Sequence, residues 1–157
     1  MSSRGGLDSG LNSSPAVANV DSDPDGPKLF TWAVVRAVPR MERGEFVNIG
    51  VVLYSQHHEF LACTHHLSAG RLQALDPDVD LAMARAALRA IGSVCEGSPV
   101  AGLIGRQPLR ARFGWLTAPK STVVHTGPVH SGLTSDPGAE LAGLHRRLVL
   151  PALSPGE

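Results

Sequence analysis

Residues 36–54 of the 157-residue chain read RAVPRMERGEFVNIGVVLY, and the second half of this stretch decides the fold. From Phe46 onward it is rich in β-branched residues and almost wholly apolar, which is typical of a strand buried on both faces. Gly50 interrupts the run and indicates a bulge or the close approach of a neighbouring backbone. Pro39 cannot donate to a ladder, so it must end the preceding strand, which begins at Leu29.

The flanking sequence supplies the partners of this strand. A hairpin leads to a third strand at 60–64, and residues 122–124 have the composition of a further strand. An apolar stripe at helical spacing predicts a helix that begins with Asp76 as N-cap and stops at Gly97, and a closing helix spans 139–150. The sequence thus predicts an α+β fold, with an antiparallel sheet of about four strands and the two helices packed on one face.

The length of the chain suits one domain of ordinary size. Residues 1–28 are dominated by Gly, Ser, Asn, Asp and Pro, so we expect a disordered leader there. A single α+β domain should follow over 29–151, with a flexible tail over 152–157. No apolar run approaches the length of a membrane span, and the N-terminal sequence lacks the apolar core of a secretory signal. We therefore expect a cytoplasmic protein that does not contact a membrane.

Composition and motifs argue against several classes of site. Fourteen Lys and Arg residues balance fourteen Asp and Glu residues, so no global field favours binding of nucleic acid. The histidine pairs 57–58 and 65–66 suit a surface hairpin better than a metal site, because neighbouring residues of a strand point to opposite faces. Cys63 and Cys95 are the only cysteines and are expected to be small buried residues. Dinucleotide, P-loop and α/β-hydrolase motifs are absent, so we expect neither a metal nor a cofactor.

The first of two residue-dense blocks is the strand–turn–strand quoted above. It holds Arg36, Arg43, Glu45 and Asn48, and such a turn can present guanidinium forks to a carboxylate or phosphate. The alternative is structural: Arg43 and Glu45 pair with each other, and Asn48 ties down the irregular backbone near Gly50. The residues alone favour neither interpretation.

The second block spans residues 106–130 and contains four basic residues and no acidic one. Trp115 could stack on a base or planar ligand, although a core this poor in aromatic residues also needs such rings. Arg112 and Ser121 could bind a ligand, and His130 is a candidate acid or base. If the strand after Ser121 lies beside the central strand, the two blocks converge on one site. That site would join Arg36, Arg43, Glu45 and Asn48 to Arg112, Ser121 and His130.

The segments RxVPRxxRGEFVNIGVVLY and RFxWLTAPxSTVVxxxPVHxGL together resemble the two signature segments of a bacterial family, catalogued as domain of unknown function family three-zero-three-seven. The resemblance covers roughly residues 30–135. It implies a partner or accessory role, because genes of this family are often found beside genes for proteins resembling the kinase fold of persistence toxins. The positions that match the family pattern are Arg36, Pro39, Arg43, Gly44, Glu45, Phe46, Asn48, Gly50, Arg112, Phe113, Trp115, Thr117, Pro119, Ser121 and His130.

Three functions are compatible with these features. The first is a non-catalytic binding or accessory module that acts with a partner protein, such as a kinase-like protein encoded nearby. The second is a small enzyme acting on a phosphorylated or nucleotide-like ligand, with Glu45 or His130 as acid or base and arginines binding the anion. The third, a sequence-tolerant nucleic-acid binder, predicts strong salt dependence and fits the balanced charge least. Because no standard nucleophile–base motif is present, the first is favoured. Its binding residues would be Arg36, Arg43, Asn48, Arg112, Trp115 and Ser121.

Overall fold

The computed structural model of the chain describes residues 26–152. This part of the chain contains five strands and four α-helices. The strands are β1 (Lys28–Ala37), β2 (Val47–Ser55), β3 (Phe60–His65), β4 (Val124–Thr126) and β5 (His130–Thr134). The α-helices are α1 (Ala69–Leu75), α2 (Leu81–Glu96), α3 (Leu109–Thr117) and α4 (Pro137–Leu148). Two 3₁₀ segments lie at Met41–Arg43 and Pro99–Arg106. The predicted α+β class is confirmed.

The strands form one antiparallel sheet in the order β3-β2-β1-β4, and β5 also pairs with β1. β2 occupies one edge of β1. The other edge is shared, because β4 pairs with residues 35–37 and β5 with residues 28–32. Within the described residues the sheet thus has one strand more than the four predicted. The additional strand, β5, has few buried residues, so it lacks the alternating apolar pattern by which strands are recognised.

An irregularity in the β1–β2 ladder lies where Gly50 interrupts the apolar run. Val35 pairs with Gly50, but the next residue, Arg36, pairs with Asn48, so Ile49 has no partner in the register. Gly50 also lies so close to β3 that a Cβ there would overlap the backbone carbonyl oxygen of Thr64. Both consequences predicted for this glycine, a bulge and a close approach, are therefore present.

Helices cover both faces of the sheet. Val51 of β2 packs with Leu144 of α4. Its neighbour Val52 points the other way and packs with Val94 of α2 and Phe113 of α3. α1 lies in the same layer as α2. We refer to the α4 face and the α2–α3 face. The arrangement differs from the predicted one, in which both helices shared a face, because the apolar stripe of α4 covers the side of β2 that α2 leaves open.

The caps of α2 explain where this helix begins and ends. Oδ1 of Asp80 accepts a hydrogen bond from the backbone N–H of Met83 at 2.9 Å, so Asp80 is the N-cap. Asp76, the predicted N-cap, instead terminates α1, and its Oδ1 accepts the N–H of Asp78 at 3.0 Å. Gly97 ends α2 with φ of 68°, in the left-handed region that favours glycine. The predicted end of this helix at Gly97 is therefore confirmed, whereas the prediction that Asp76 is its N-cap is wrong.

None of the helices in residues 26–152 combines the length and the apolar character needed to cross a bilayer. The predicted leader (1–28) and tail (152–157) lie almost entirely outside the described residues. At the boundary, β1 begins at Lys28, one residue earlier than expected.

Candidate functional site

Arg36 lies on β1 opposite the bulge of β2, and its side chain is held in a defined position. The guanidinium carbon is 4.1 Å from the centroid of the Phe46 ring, which is a cation–π contact. On the other side, a Cβ at Gly127 would lie 2.7 Å from the same carbon, so only glycine leaves room for the guanidinium there. The Nε atom of Arg36 is buried and has no hydrogen-bond partner among the described residues.

Asn48 is the register partner of Arg36 across the bulge. Its Nδ2 donates a hydrogen bond to the backbone carbonyl of Leu148 at 2.9 Å, which ties β2 to the end of α4 and places the pair on the α4 face. Within the described chain, Oδ1 of Asn48 is buried without a partner. A donor on Arg36 and an acceptor on Asn48 are therefore both unsatisfied at neighbouring positions. Almost all buried polar atoms in folded proteins have a hydrogen-bond partner, so an unsatisfied pair such as this one calls for a functional reason or a bound partner.

The connection from β1 to β2 exposes large apolar side chains. Met41 is 52% exposed and Phe46 is 45% exposed, although both flank buried strands. Nε of Arg43 donates to Oε1 of Glu45 at 2.6 Å, and this hydrogen bond raises the pKa of the Arg43 guanidinium. We call Arg36, Met41, Arg43 and Phe46 the turn surface. On this surface Arg43 pairs with Glu45, and the exposed ring of Phe46 contacts Arg36.

The two candidate acid–base residues are not brought together. Glu45 is engaged by Arg43 on the turn. His130 lies in β5, opposite Trp32, and the two rings are 4.6 Å apart between centroids. Trp32 precedes Arg36 by four residues on β1, so His130 lies about 13 Å along the strand from the bulge. Glu45 and His130, each a candidate acid or base, therefore lie in two separate parts of the structure and not in the one polar site that was predicted to hold both.

Arg112 has a different setting from the one predicted for it. Its Nη1 donates to the backbone carbonyls of Val94 and Cys95, both at 2.9 Å, and its Nε donates to that of Gln107 at 3.0 Å. These bonds satisfy carbonyls at the C-terminal end of α2 and place Arg112 on the α2–α3 face. Ser121 is exposed in the loop before β4. Arg112 thus lies on the other face of the sheet from Arg36, and among residues 26–152 no hydrogen bond joins Arg112 or Ser121 to Arg36.

The second block reaches Arg36 through β4 instead. His125 pairs with Arg36 in the β1–β4 register, and the N–H of Gly127 donates to the carbonyl of Val34 at 2.8 Å. Sequence reasoning missed both residues as neighbours of Arg36. The glycine within this block was the available signal, since a glycine beside a strand often marks a close approach.

The model of one protein family matches residues 32–149, from β1 to the residue after α4. Its description is "Protein of unknown function (DUF3037)". The chain belongs to the DUF3037 family. This confirms the predicted membership, and the match includes every candidate site residue. No curated protein and no solved structure matches the chain.

The aromatic residues of the second block have different environments in this DUF3037 protein. Phe113 is buried, and its ring stacks on Tyr54 at 5.4 Å between centroids. Trp115 is 45% exposed, and Nζ of Lys120 lies 4.6 Å from its ring centroid. Phe113 is therefore part of the core, whereas the face of Trp115 is accessible. Of the two interpretations that the sequence left open for these rings, core packing applies to Phe113 and an accessible ring applies to Trp115.

The cysteines and histidines of the DUF3037 protein could supply metal ligands only where several of them cluster. Nowhere in residues 26–152 do three His, Cys, Asp or Glu side chains come together so that they could hold a metal ion. Cys63 on β3 and Cys95 on α2 are free thiols within the same apolar cluster. Interaction between the two thiols lowers the pKa of Cys63 and, together with burial, raises the pKa of Cys95. The pair stabilises the α2–α3 face as part of its apolar cluster.

Proposed function

We propose that this DUF3037 protein is a non-catalytic binding module that acts with a partner protein through the turn surface. The observation that carries the proposal is the exposure of Met41 and Phe46 beside the guanidinium of Arg36. Methionine, aromatic residues and arginine are enriched at protein interfaces, and arginine and large aromatic residues often dominate their binding energy. A partner would cover the ring of Phe46 and accept hydrogen bonds from Arg36.

The charges of the turn indicate what the partner presents. Arg43 is paired with Glu45, and Arg40 lies 3.5 Å from Oδ1 of Asp76. Of these three arginines in the described chain, Arg36 is the one without an acidic partner. A carboxylate or a row of backbone carbonyls on the partner would satisfy it, because a guanidinium stacked on a ring still has its edge free to donate.

The kinase-like protein implied by the family resemblance is our candidate partner. Support for it comes from that genomic association alone, and the turn surface is compatible with it because it offers one unpaired cation and two apolar side chains. A cytoplasmic location belongs to the same proposal, since a kinase-like partner uses the cytoplasmic pool of nucleotide.

A second candidate function has one observation in its favour. The unsatisfied Nε of Arg36 and Oδ1 of Asn48 offer a donor and an acceptor at neighbouring positions, which suits a small phosphorylated or nucleotide-like ligand. The distance of His130 from this point, and the engagement of Glu45 by Arg43, argue against an acid–base pair acting on such a ligand. We therefore rank the enzyme second.

Native mass spectrometry of the tagged protein, captured from its own host, separates the two candidates. The binding-module proposal predicts a stoichiometric protein partner that survives gel filtration. A protein that emerges alone with a small anion, and that loses the anion on Arg36→Gln substitution, would instead support the enzyme. In that case one of the two substitutions, Glu45→Ala or His130→Ala, should abolish turnover of the identified ligand and so identify the acid or base.

A further inference from the structure

A second feature of the molecule lies on the α2–α3 face, away from the turn surface. A groove with a volume of about 230 Å³ runs between α2, α3 and β4. Its walls are mainly apolar, and the side chains that shape it are Ala87, Ala90, Ile91, Leu116 and the exposed ring of Trp115. The polar residues of the lining are Lys120, Thr122, His125 and Thr126.

Lys120 gives the groove a positive charge that no nearby carboxylate among the described residues neutralises. Its Nζ donates to the backbone carbonyl of Trp115 at 2.7 Å and lies over the Trp115 ring. In the part of the chain that the structure describes, no carboxylate pairs with Lys120, and none of the groove residues is acidic. Burial lowers the pKa of this ammonium group, which is the expected effect of an apolar surrounding without a counter-ion.

We propose that this groove binds a small amphipathic carboxylate, whose apolar body packs against Trp115 and Ile91 and whose carboxylate pairs with Lys120. Binding pockets in proteins are mostly apolar with a few placed polar groups, which is the composition found here. An ammonium group has three protons to donate, and the Trp115 carbonyl accepts one of them. The remaining donors suit the oxygens of a carboxylate, which would also supply the missing negative charge.

The size of the groove restricts the ligand. A volume of about 230 Å³ is below the range of about 300 to 1,000 Å³ that drug-sized ligands occupy, and corresponds to about eight water molecules. A single aromatic ring or a short branched chain with one carboxylate therefore fits, whereas a nucleotide or a long fatty acid does not. This inference does not depend on the proposed partner, because the groove lies on the α2–α3 face and Arg36 lies on the α4 face.

Phenylacetate is a suitable probe, and phenylacetamide is its uncharged counterpart. We expect saturable one-to-one binding of phenylacetate, measured by chemical-shift changes in NMR titration of the full chain, with the largest changes at Trp115 and Lys120. Phenylacetamide should bind at least about tenfold more weakly, because it cannot form the charge-assisted hydrogen bond. Lys120→Met should weaken the binding of phenylacetate by a similar factor, so that phenylacetate and phenylacetamide bind with the same affinity.

A pair of variants tests the location. Ala90 lines the groove and is exposed on α2, so Ala90→Phe should fill the groove and abolish binding. Ala82 is exposed on the same helix and does not line the groove, so Ala82→Phe should leave the affinity unchanged. Circular dichroism establishes that all variants fold. The proposal is overturned if phenylacetate and short branched carboxylates all fail to saturate at millimolar concentration, if the amide binds as well as the acid, or if both phenylalanine variants behave alike.

Discussion

The guanidinium of Arg36 lies 4.1 Å from the centroid of the Phe46 ring, across the bulge that Gly50 creates between β1 and β2. Stacking holds the guanidinium in place without using its hydrogen-bonding edge. Gly127 on the neighbouring chain segment leaves the space that this position requires. Three separate stretches of sequence thus fix one half-buried arginine, which is the geometry expected of a recognition residue and not of a mobile surface cation.

Gly127→Ala tests the position of Arg36 without changing its chemistry. The added Cβ would lie 2.7 Å from Cζ of Arg36, and the guanidinium can move because it is the end of a flexible side chain. We expect the free energy of unfolding to fall by about 1 kcal/mol or less. Partner binding should fall at least tenfold, as measured by calorimetry with the co-purified partner. Unchanged binding would mean that the partner does not depend on where Arg36 lies.

Gly50→Ala should be far more damaging, because the obstacle is backbone. Its Cβ would overlap the carbonyl oxygen of Thr64, and strands β2 and β3 would have to separate locally. We expect a loss of about 3 kcal/mol in the free energy of unfolding, measured by urea denaturation. The matched control is Gly114→Ala on α3, where nothing lies within 4 Å of the new Cβ. That variant should be more stable than wild type by about 0.5 to 1 kcal/mol. Equal effects of the two substitutions would contradict the register described here.

Arg112 should matter for stability and not for recognition. Its removal leaves three carbonyls around the end of α2 without their charged donor, so Arg112→Ala should cost about 2 kcal/mol in urea denaturation. Arg110 is exposed two residues earlier on the same helix, and Arg110→Ala should change stability by less than about 0.5 kcal/mol. If the Arg112→Ala protein has normal stability but no longer binds its partner, Arg112 is a recognition residue and the structural role given to it here is wrong.

His145 predicts how stability depends on pH. Burial and the neighbouring His66 and His65 lower the pKa of His145 in the folded protein, and its Nδ1 is buried without a partner in residues 26–152. The unfolded state therefore binds a proton first as the pH falls, so stability should decrease below about pH 6.5. His145→Gln should lessen the difference in unfolding free energy between about pH 7.5 and about pH 5.5. An NMR titration of His145 with a midpoint at or above the ordinary value would contradict this.

The fold was predictable where local sequence determines it. The apolar run of β2, the bulge glycine and the stop at Gly97 all depend on neighbouring residues, and the structure contains each. Both helices were nevertheless predicted on one face, whereas a strand that is apolar in both directions needs cover on both faces, as the structure has it. The predicted N-cap was Asp76, but the short helix α1, which the sequence analysis did not predict, ends at Asp76, and Asp80 caps α2 instead.

The candidate site was predictable only in part. Pairing of Arg43 with Glu45 was one of two interpretations that the spacing allowed, and it is the arrangement found. The contact between Arg36 and Gly127 could not be derived, because it depends on β4 lying at the edge of β1 opposite β2. Arg112 was grouped with a binding site because its charge is visible in the sequence, whereas its carbonyl partners at the end of α2 are not.

The central claim is that the turn surface binds a partner protein, and quantitative co-purification from the native host tests it most directly. The test variant is Met41→Ser combined with Phe46→Ser. The matched control is Val100→Ser combined with Leu103→Ser, which removes two apolar side chains that are even more exposed, at 86% and 78%, on a different segment. We predict that wild type and control recover the same stoichiometric partner and that the test variant, folded by circular dichroism, does not. Equal recovery by all three proteins, or no stoichiometric partner with wild type, would contradict the account.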